Sequence, residues 1–132
     1  MKYYIASSFQ NKENVQAVSQ FLSSKGHVNT YDWTLNERAN TIEQLERIGI
    51  LEKQAVADCD LFILYLPGGK GSHVELGLAL AYGKKVIIYR EKAFSPEEAS
   101  SFYYVEGVNH VFGDLEKLFT EIHLIEETRK LF

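Results

Sequence analysis

Leu61-Phe62-Ile63-Leu64-Tyr65-Leu66, then Pro67-Gly68-Gly69-Lys70-Gly71-Ser72-His73, then Val74-Glu75-Leu76-Gly77-Leu78-Ala79-Leu80-Ala81-Tyr82-Gly83 is the stretch that decides the fold. Its first run has no polar interruption, the pattern of a parallel strand buried on both faces. Its last run is apolar and ends at a glycine, which predicts a helix from Val74 to Tyr82 with Gly83 as its stop. Between them three glycines fall within seven residues. A glycine-rich turn from a central strand into a helix lets a ligand approach the backbone closely. Glu75 is a charge in what reads as the first turn of an otherwise enclosed helix. There the helix dipole favours a carboxylate and keeps it ionised, as attack on a sugar carbon requires. The competing reading is that Glu75 only complements the dipole and the glycines only make a tight turn.

Outward from this stretch, strands and helices alternate. Tyr3–Ala6 reads as a first strand, followed by a polar turn over Ser7–Asn11. Val15, Val18, Phe21 and Leu22 recur at helical spacing until Gly26. His27–Thr30 reads as a short strand leading to Tyr31-Asp32-Trp33-Thr34. A helix from about Ala39 to Ala57 carries Ile42, Leu45, Ile48 and Leu51 towards the core. After the Glu75 helix come a strand over Val86–Tyr89, a turn with Ser95 as cap and Pro96 at its first position, an edge strand over Val108–Phe112, and a closing stripe of Leu115, Leu118, Ile122 and Ile125. Such alternation predicts an α/β fold of three layers: a doubly wound, five-stranded parallel sheet of flavodoxin-like (Rossmann-like) order 2-1-3-4-5. In that order the crevice opens between strands 1 and 3. It gathers Tyr4–Phe9, Asp32-Trp33 and the glycine turn with Glu75.

The 132 residues suit one domain over 1–132, with no linker or repeat. A net charge of −4 and the lack of any Lys/Arg block argue against a nucleic-acid polymer as partner. Cys59 is alone, which excludes a disulfide framework and reads as a small core residue. The four histidines are scattered, without partners at metal spacing, so no metal site is expected. The N-terminus runs straight into Lys2-Tyr3-Tyr4-Ile5, without a signal-peptide run or membrane span, so a cytoplasmic protein is expected. The turn is neither a Walker A loop nor GxGxxG. Ser72 has no nucleophile elbow around it and reads as a helix cap or ligand-binding hydroxyl. His73, two residues from Glu75, points to a different face and reads as a pocket-rim residue.

The combination of Tyr4-Ile5-Ala6-Ser7-Ser8-Phe9, Ala57-x-x-Asp60 and Gly71-x-x-x-Glu75-Leu76-Gly77-x-Ala79 resembles the nucleoside 2-deoxyribosyltransferase superfamily, which includes deoxynucleoside 5′-monophosphate N-glycosidases. The resemblance spans about Lys2 to Phe119 and is strongest from Asp60 to Gly83. It implies cleavage of an N-glycosidic bond in a nucleoside or nucleotide, by hydrolysis or base transfer, with no cofactor. Glu75 would attack the anomeric carbon and Tyr4 would lie beside it; Asp32 and Trp33 would line the base pocket, and Ser7, Ser8, Gly71 and Ser72 the rest of the crevice. It also implies a homodimer or higher oligomer whose sites a neighbour completes, with Ser100, Ser101 and Phe102-Tyr103-Tyr104 as the contributing segment.

Two positions depart from the family pattern. Glu52 stands eight residues before Asp60, where an aspartate near the sugar is usual. Gly69, followed by Lys70, stands where the transferases carry an aspartate towards the sugar 5′-hydroxyl. A glycine amide and an ammonium suit a 5′-phosphate instead. Other readings remain open. Pro67-Gly68-Gly69-Lys70-Gly71-Ser72-His73-Val74-Glu75 is also similar to the PGGxGTxxE signature of cytokinin-activating phosphoribohydrolases, though Ile48-Gly49-Ile50-Leu51 lacks their Arg-Lys pair. A Toll/interleukin-receptor-like NAD glycohydrolase and a non-catalytic nucleotide-binding module are the further alternatives. Tyr4 also reads as a core aromatic, Trp33 as a cover for the sheet edge, Asp60 as a backbone cap and Glu52 as a solvated helix residue.

Overall fold

In the computed structural model, which describes residues 1–131, the apolar run forms β3 (Leu61–Tyr65), buried at every position. It lies at the centre of a wholly parallel sheet between β1 (Lys2–Ala6) and β4 (Lys85–Arg90), with Tyr4 opposite Phe62 and Ile63 opposite Ile87. β2 (Val28–Asn29) flanks β1 and β5 (Val108–Phe112) flanks β4, giving the order β2-β1-β3-β4-β5. The expected strand order is the one observed.

Helices cover both faces. α1 (Lys12–Ser24) and α4 (Leu115–Lys130) share one, where the Phe21 and Phe119 rings stack at 3.8 Å. α2 (Ile42–Asp58) and α3 (Lys70–Ala81) pack together on the other. β1 shows how a strand serves both layers, since successive side chains point to opposite faces. Tyr3 reaches Ser19 Oγ of α1 at 2.6 Å, while Tyr4 reaches Glu52 of α2 and Glu75 of α3. Asp60 is the backbone cap that its position suggested, accepting from the Lys2 N–H at 2.8 Å. Cys59 is buried, and burial pushes its thiol up to about 11. Gly107 (φ +91°) and Gly113 (φ +120°) bracket β5. Among the described residues, no helix is long and apolar enough to cross a membrane.

Two helices differ from expectation. α3 starts at Lys70, four residues before Val74, because Gly69 takes the extended cap position and Ser72 Oγ accepts its N–H at 2.7 Å. Glu75 is therefore in the second turn. α2 starts at Ile42, capped by the Thr41 hydroxyl, which accepts from the Gln44 N–H at 3.1 Å. Its expected core stripe is not core: Ile42, Leu45 and Leu51 are 79%, 61% and 43% exposed. Only Ala55 and Val56, at the far end of the helix, are buried. Leu45 and Ile48 instead wall the cavity described below.

The glycine turn is asymmetric in what it tolerates. A Cβ on Gly68 would lie 2.5 Å from Ser72 Oγ, whereas one on Gly69 meets nothing within 4 Å. Rotating Ser72 away abandons both of its hydrogen bonds to Gly69, at 2.7 and 2.9 Å. Chemical denaturation is expected to show Gly68→Ala less stable by about 1–3 kcal/mol and Gly69→Ala within about 0.5 kcal/mol of wild type. Equal midpoints for the two variants would contradict this packing.

Candidate active site

A cavity of about 550 Å³ opens at the C-terminal ends of β1 and β3, the point where the strand order reverses. Its walls come from the loop after β1, Trp33 and the segment 36–39 that follows its 3-10 turn, α2 between Leu45 and Glu52, and the start of α3. A larger cavity, about 590 Å³, lies elsewhere on the surface around Met1, Cys59 and Arg129. It takes in neither Glu52 nor Glu75. Among the described residues no three of His, Cys, Asp and Glu are grouped to hold a metal ion.

The Tyr4 hydroxyl, on a fully buried side chain, underlies the first cavity. It donates to Glu52 Oε2 at 3.0 Å and is hydrogen-bonded to Glu75 Oε2. One phenolic proton cannot satisfy two carboxylates at once. Burial first, and the Glu52 charge second, push the Glu75 carboxyl up to about 8; the Tyr4 hydrogen bond opposes them. Burial and then the charges of Glu75 and Glu52 push the Tyr4 phenol far up, so it stays a donor. Burial and the Glu52 charge both favour the protonated form of Glu75. Two features oppose the ionised carboxylate expected from the helix dipole: Glu75 sits a turn deeper than expected, out of water, and it lies beside a like charge.

The rim is built from polar ties. Ser7 Oγ donates to the Tyr65 carbonyl at 2.7 Å and Ser8 Oγ to the Pro67 carbonyl at 3.1 Å. Asn11, which the sequence did not single out, donates to Ser7 Oγ and to the same Pro67 carbonyl. Trp33 lines the cavity but is buried, its indole N–H donating to the Ile5 carbonyl at 2.6 Å. The exposed Phe9 ring meets it edge-on at 5.6 Å.

Ser7, Ser8, Trp33, Glu52, Gly69, Gly71, Ser72 and Glu75 all line the cavity, with Tyr4 bonded to its two glutamates. Asp32 and Lys70 are not among the lining residues. The Asp32 carboxylate caps its own 3-10 turn, accepting from the Thr34 N–H at 3.0 Å, and Lys70 is exposed at the helix start. Phe9 lies in the Tyr4–Phe9 stretch expected at the crevice, whereas sequence reasoning missed Arg38, Leu45 and Ile48 as wall residues. Arg38 is the one Lys or Arg in the lining, on an irregular loop without periodicity to mark it. Of the segment expected to complete a neighbour's site, Tyr103 turns inward to His73, while Phe102 and Tyr104 are exposed.

No protein-family model matches this sequence, and no curated protein matches it. Among solved structures the chain is similar to the CMP N-glycosidase BcmB of Clostridium botulinum. The TM-score is 0.65 at 21% sequence identity, over 93% of this chain and 99% of that one. What the two share is the fold.

Two stability experiments check the site. Trp33→Ala removes a buried ring and a buried hydrogen bond, so it is expected to destabilise by about 3–5 kcal/mol. Phe9→Ala is expected to stay within about 1 kcal/mol; urea midpoints distinguish them. For Glu75, the folded value of about 8 lies above the ordinary 4.5. Between those values the native state keeps a proton that the unfolded state has lost, so stability falls as pH rises, by up to roughly 1.4 kcal/mol per unit. Glu75→Gln removes that loss. Its stability relative to wild type is expected to rise from pH 5 to pH 8, and a parallel pH dependence would contradict the burial argument.

Proposed function

We propose that this chain hydrolyses the N-glycosidic bond of a nucleoside 5′-monophosphate, with Glu75 bonding to C1′ of the sugar. The observation that carries this reading is the Tyr4–Glu75–Glu52 cluster at the cavity where the strand order reverses. The fold shared with a CMP N-glycosidase supports the same bond class.

The chemistry follows from one proton held between two carboxylates. The base leaves with the electron pair of the C1′–N bond and takes the proton through Glu52. Glu75, now ionised, forms the bond to C1′. Tyr4 holds Glu75 Oε2, which leaves Oε1 for that bond. A water oxygen then attacks C1′, its proton goes to Glu52, and Glu75 departs as the carboxylate, so the pair is restored. The role exchange is that of retaining glycosidases.

The 5′-phosphate is assigned to the first-turn amides of α3, which lack intrahelical partners and sit at the positive end of the helix. The Lys70 ammonium lies outside the cavity lining, and Arg38 supplies the positive charge within it. Gly69 carries no carboxylate for a free 5′-hydroxyl, which favours water as acceptor over a second base.

Release of free base from a panel of nucleosides and their 5′-monophosphates tests the reading. The monophosphate is expected to be the better substrate, and folded Glu75→Gln is expected to lose several orders of magnitude in rate. Near wild-type turnover in that variant would remove Glu75 from the mechanism. Nucleotide binding without base release would favour a binding module. Gly69→Asp is a clean second probe, because the position is open and extended (φ −126°) and aspartate is a good helix cap. It is expected to fold as well as wild type. Its KM for the monophosphate is expected to rise about tenfold or more through repulsion, with little change for the nucleoside.

A further inference from the structure

His73 takes no part in the chemistry above, yet both of its ring nitrogens are engaged. Nδ1 lies 2.8 Å from the Gly69 carbonyl and Nε2 lies 2.6 Å from the Tyr103 hydroxyl. A carbonyl only accepts, so Nδ1 carries a hydrogen. In the neutral ring Nε2 then accepts from the Tyr103 O–H. Tyr103 is 4% exposed and belongs to the connection between β4 and β5, residues 91–107. Its ring stacks on His73 at 5.8 Å and meets Phe94 at 5.7 Å, and its carbonyl accepts from His110 Nε2 at 2.7 Å. His73, Phe94 and Tyr103 line a separate cavity of about 440 Å³ that takes in Gly68 of the glycine turn, whereas the first cavity takes in Gly69 and Gly71. No residue of 91–107 lines the first cavity. The connection touches the site through His73.

The Gly69 carbonyl is part of the same planar peptide as the Lys70 N–H. A hydrogen bond that fixes the carbonyl therefore fixes that N–H, which points the opposite way, out of the helix N-terminus. Glycines at 68, 69 and 71 leave this turn with unusual backbone freedom. Besides His73, the carbonyl is held by Ser72 Oγ at 2.9 Å and by the His73 N–H at 3.2 Å, both from within the same helical turn. The imidazole bond alone ties it to a distant part of the chain.

We propose that His73 and Tyr103 are positioning residues, whose hydrogen-bonded chain to Gly69 sets the α3 amides that select a 5′-phosphorylated substrate. The proposal rests on the nucleotide reading for its substrate and on the geometry for its mechanism. Tyr103→Phe removes only the hydroxyl, and His73→Leu removes the Nδ1 donor together with the Nε2 acceptor. Each is expected to raise KM for the monophosphate about tenfold, the equivalent of one hydrogen bond. kcat on the monophosphate and KM for the nucleoside are expected to stay within about twofold, since neither residue touches C1′ or the base. His73→Asn, whose amide can donate to the same carbonyl, is expected to recover most of the monophosphate affinity.

Residue-resolved amide exchange supplies a readout that needs no substrate. Exchange at the residue 73 amide, which donates to the Gly69 carbonyl at 3.2 Å, is expected to quicken in Tyr103→Phe and His73→Leu, with the rest of α3 unchanged. If it quickens while the wild-type protein cleaves no nucleotide, the positioning role stands and the nucleotide reading falls. Unchanged exchange in both variants overturns the proposal. So does an equal rise in KM for nucleoside and monophosphate.

Discussion

A single phenolic proton facing two carboxylates is the constraint on which the arrangement of this protein turns. Tyr4 lies in β1, Glu52 in α2 and Glu75 in α3, so its hydroxyl joins the sheet to both helices of one face. Buried like charges repel, and the repulsion is relieved only while a proton stays between them. The fold tolerates the pair because everything around it is firmly packed. β3 is buried throughout, and Tyr4 stacks on Phe62 of that strand at 6.0 Å. The neighbouring Tyr3 anchors β1 to α1 through Ser19. Adjacent tyrosines of one strand thus hold opposite layers, one through hydroxyls and the other through acids.

The second organising element is the carbonyl-rich end of β3. Ser7, Ser8 and Asn11 donate across the crevice to Tyr65 and Pro67. From the other side, His73 and Ser72 donate to Gly69. A segment short of side chains is held by donors from two parts of the chain. Glycine permits the close turn, and the borrowed hydrogen bonds restore the order that glycine gives up.

The central strand, the strand order and the closing helices were legible because their apolar periods match the surfaces they bury. α2 misled for the same reason. Leu45 and Ile48 recur at core spacing, but they wall a cavity, and period alone cannot tell a core from a cavity wall. The start of α3 was hidden because Gly69, Lys70 and Gly71 look like a loop, and the residue that caps the turn, Ser72, lies inside the helix. That displacement of four residues also places Glu75 a turn deeper, where burial works against the ionised form. Asp32 belongs to a local cap and Lys70 to solvent, distinctions made by side-chain direction rather than residue type. Arg38 sits in an irregular segment, where no spacing rule singles it out.

The two rims of the sheet differ in a way that bears on self-association. β2 is two residues long and offers almost no free backbone to a foreign strand. β5 is five residues long and leaves one side of its ladder unpaired within the described chain. Gly107 and Gly113, both in the left-handed region, turn the chain away just before and just after it. Any intruding strand meets a template only five residues long, bounded at both ends by sharp bends. Exposed edges of this kind are protected by shortness and curvature rather than by a covering element, and at β5 the curvature comes from two glycines far from the cavity.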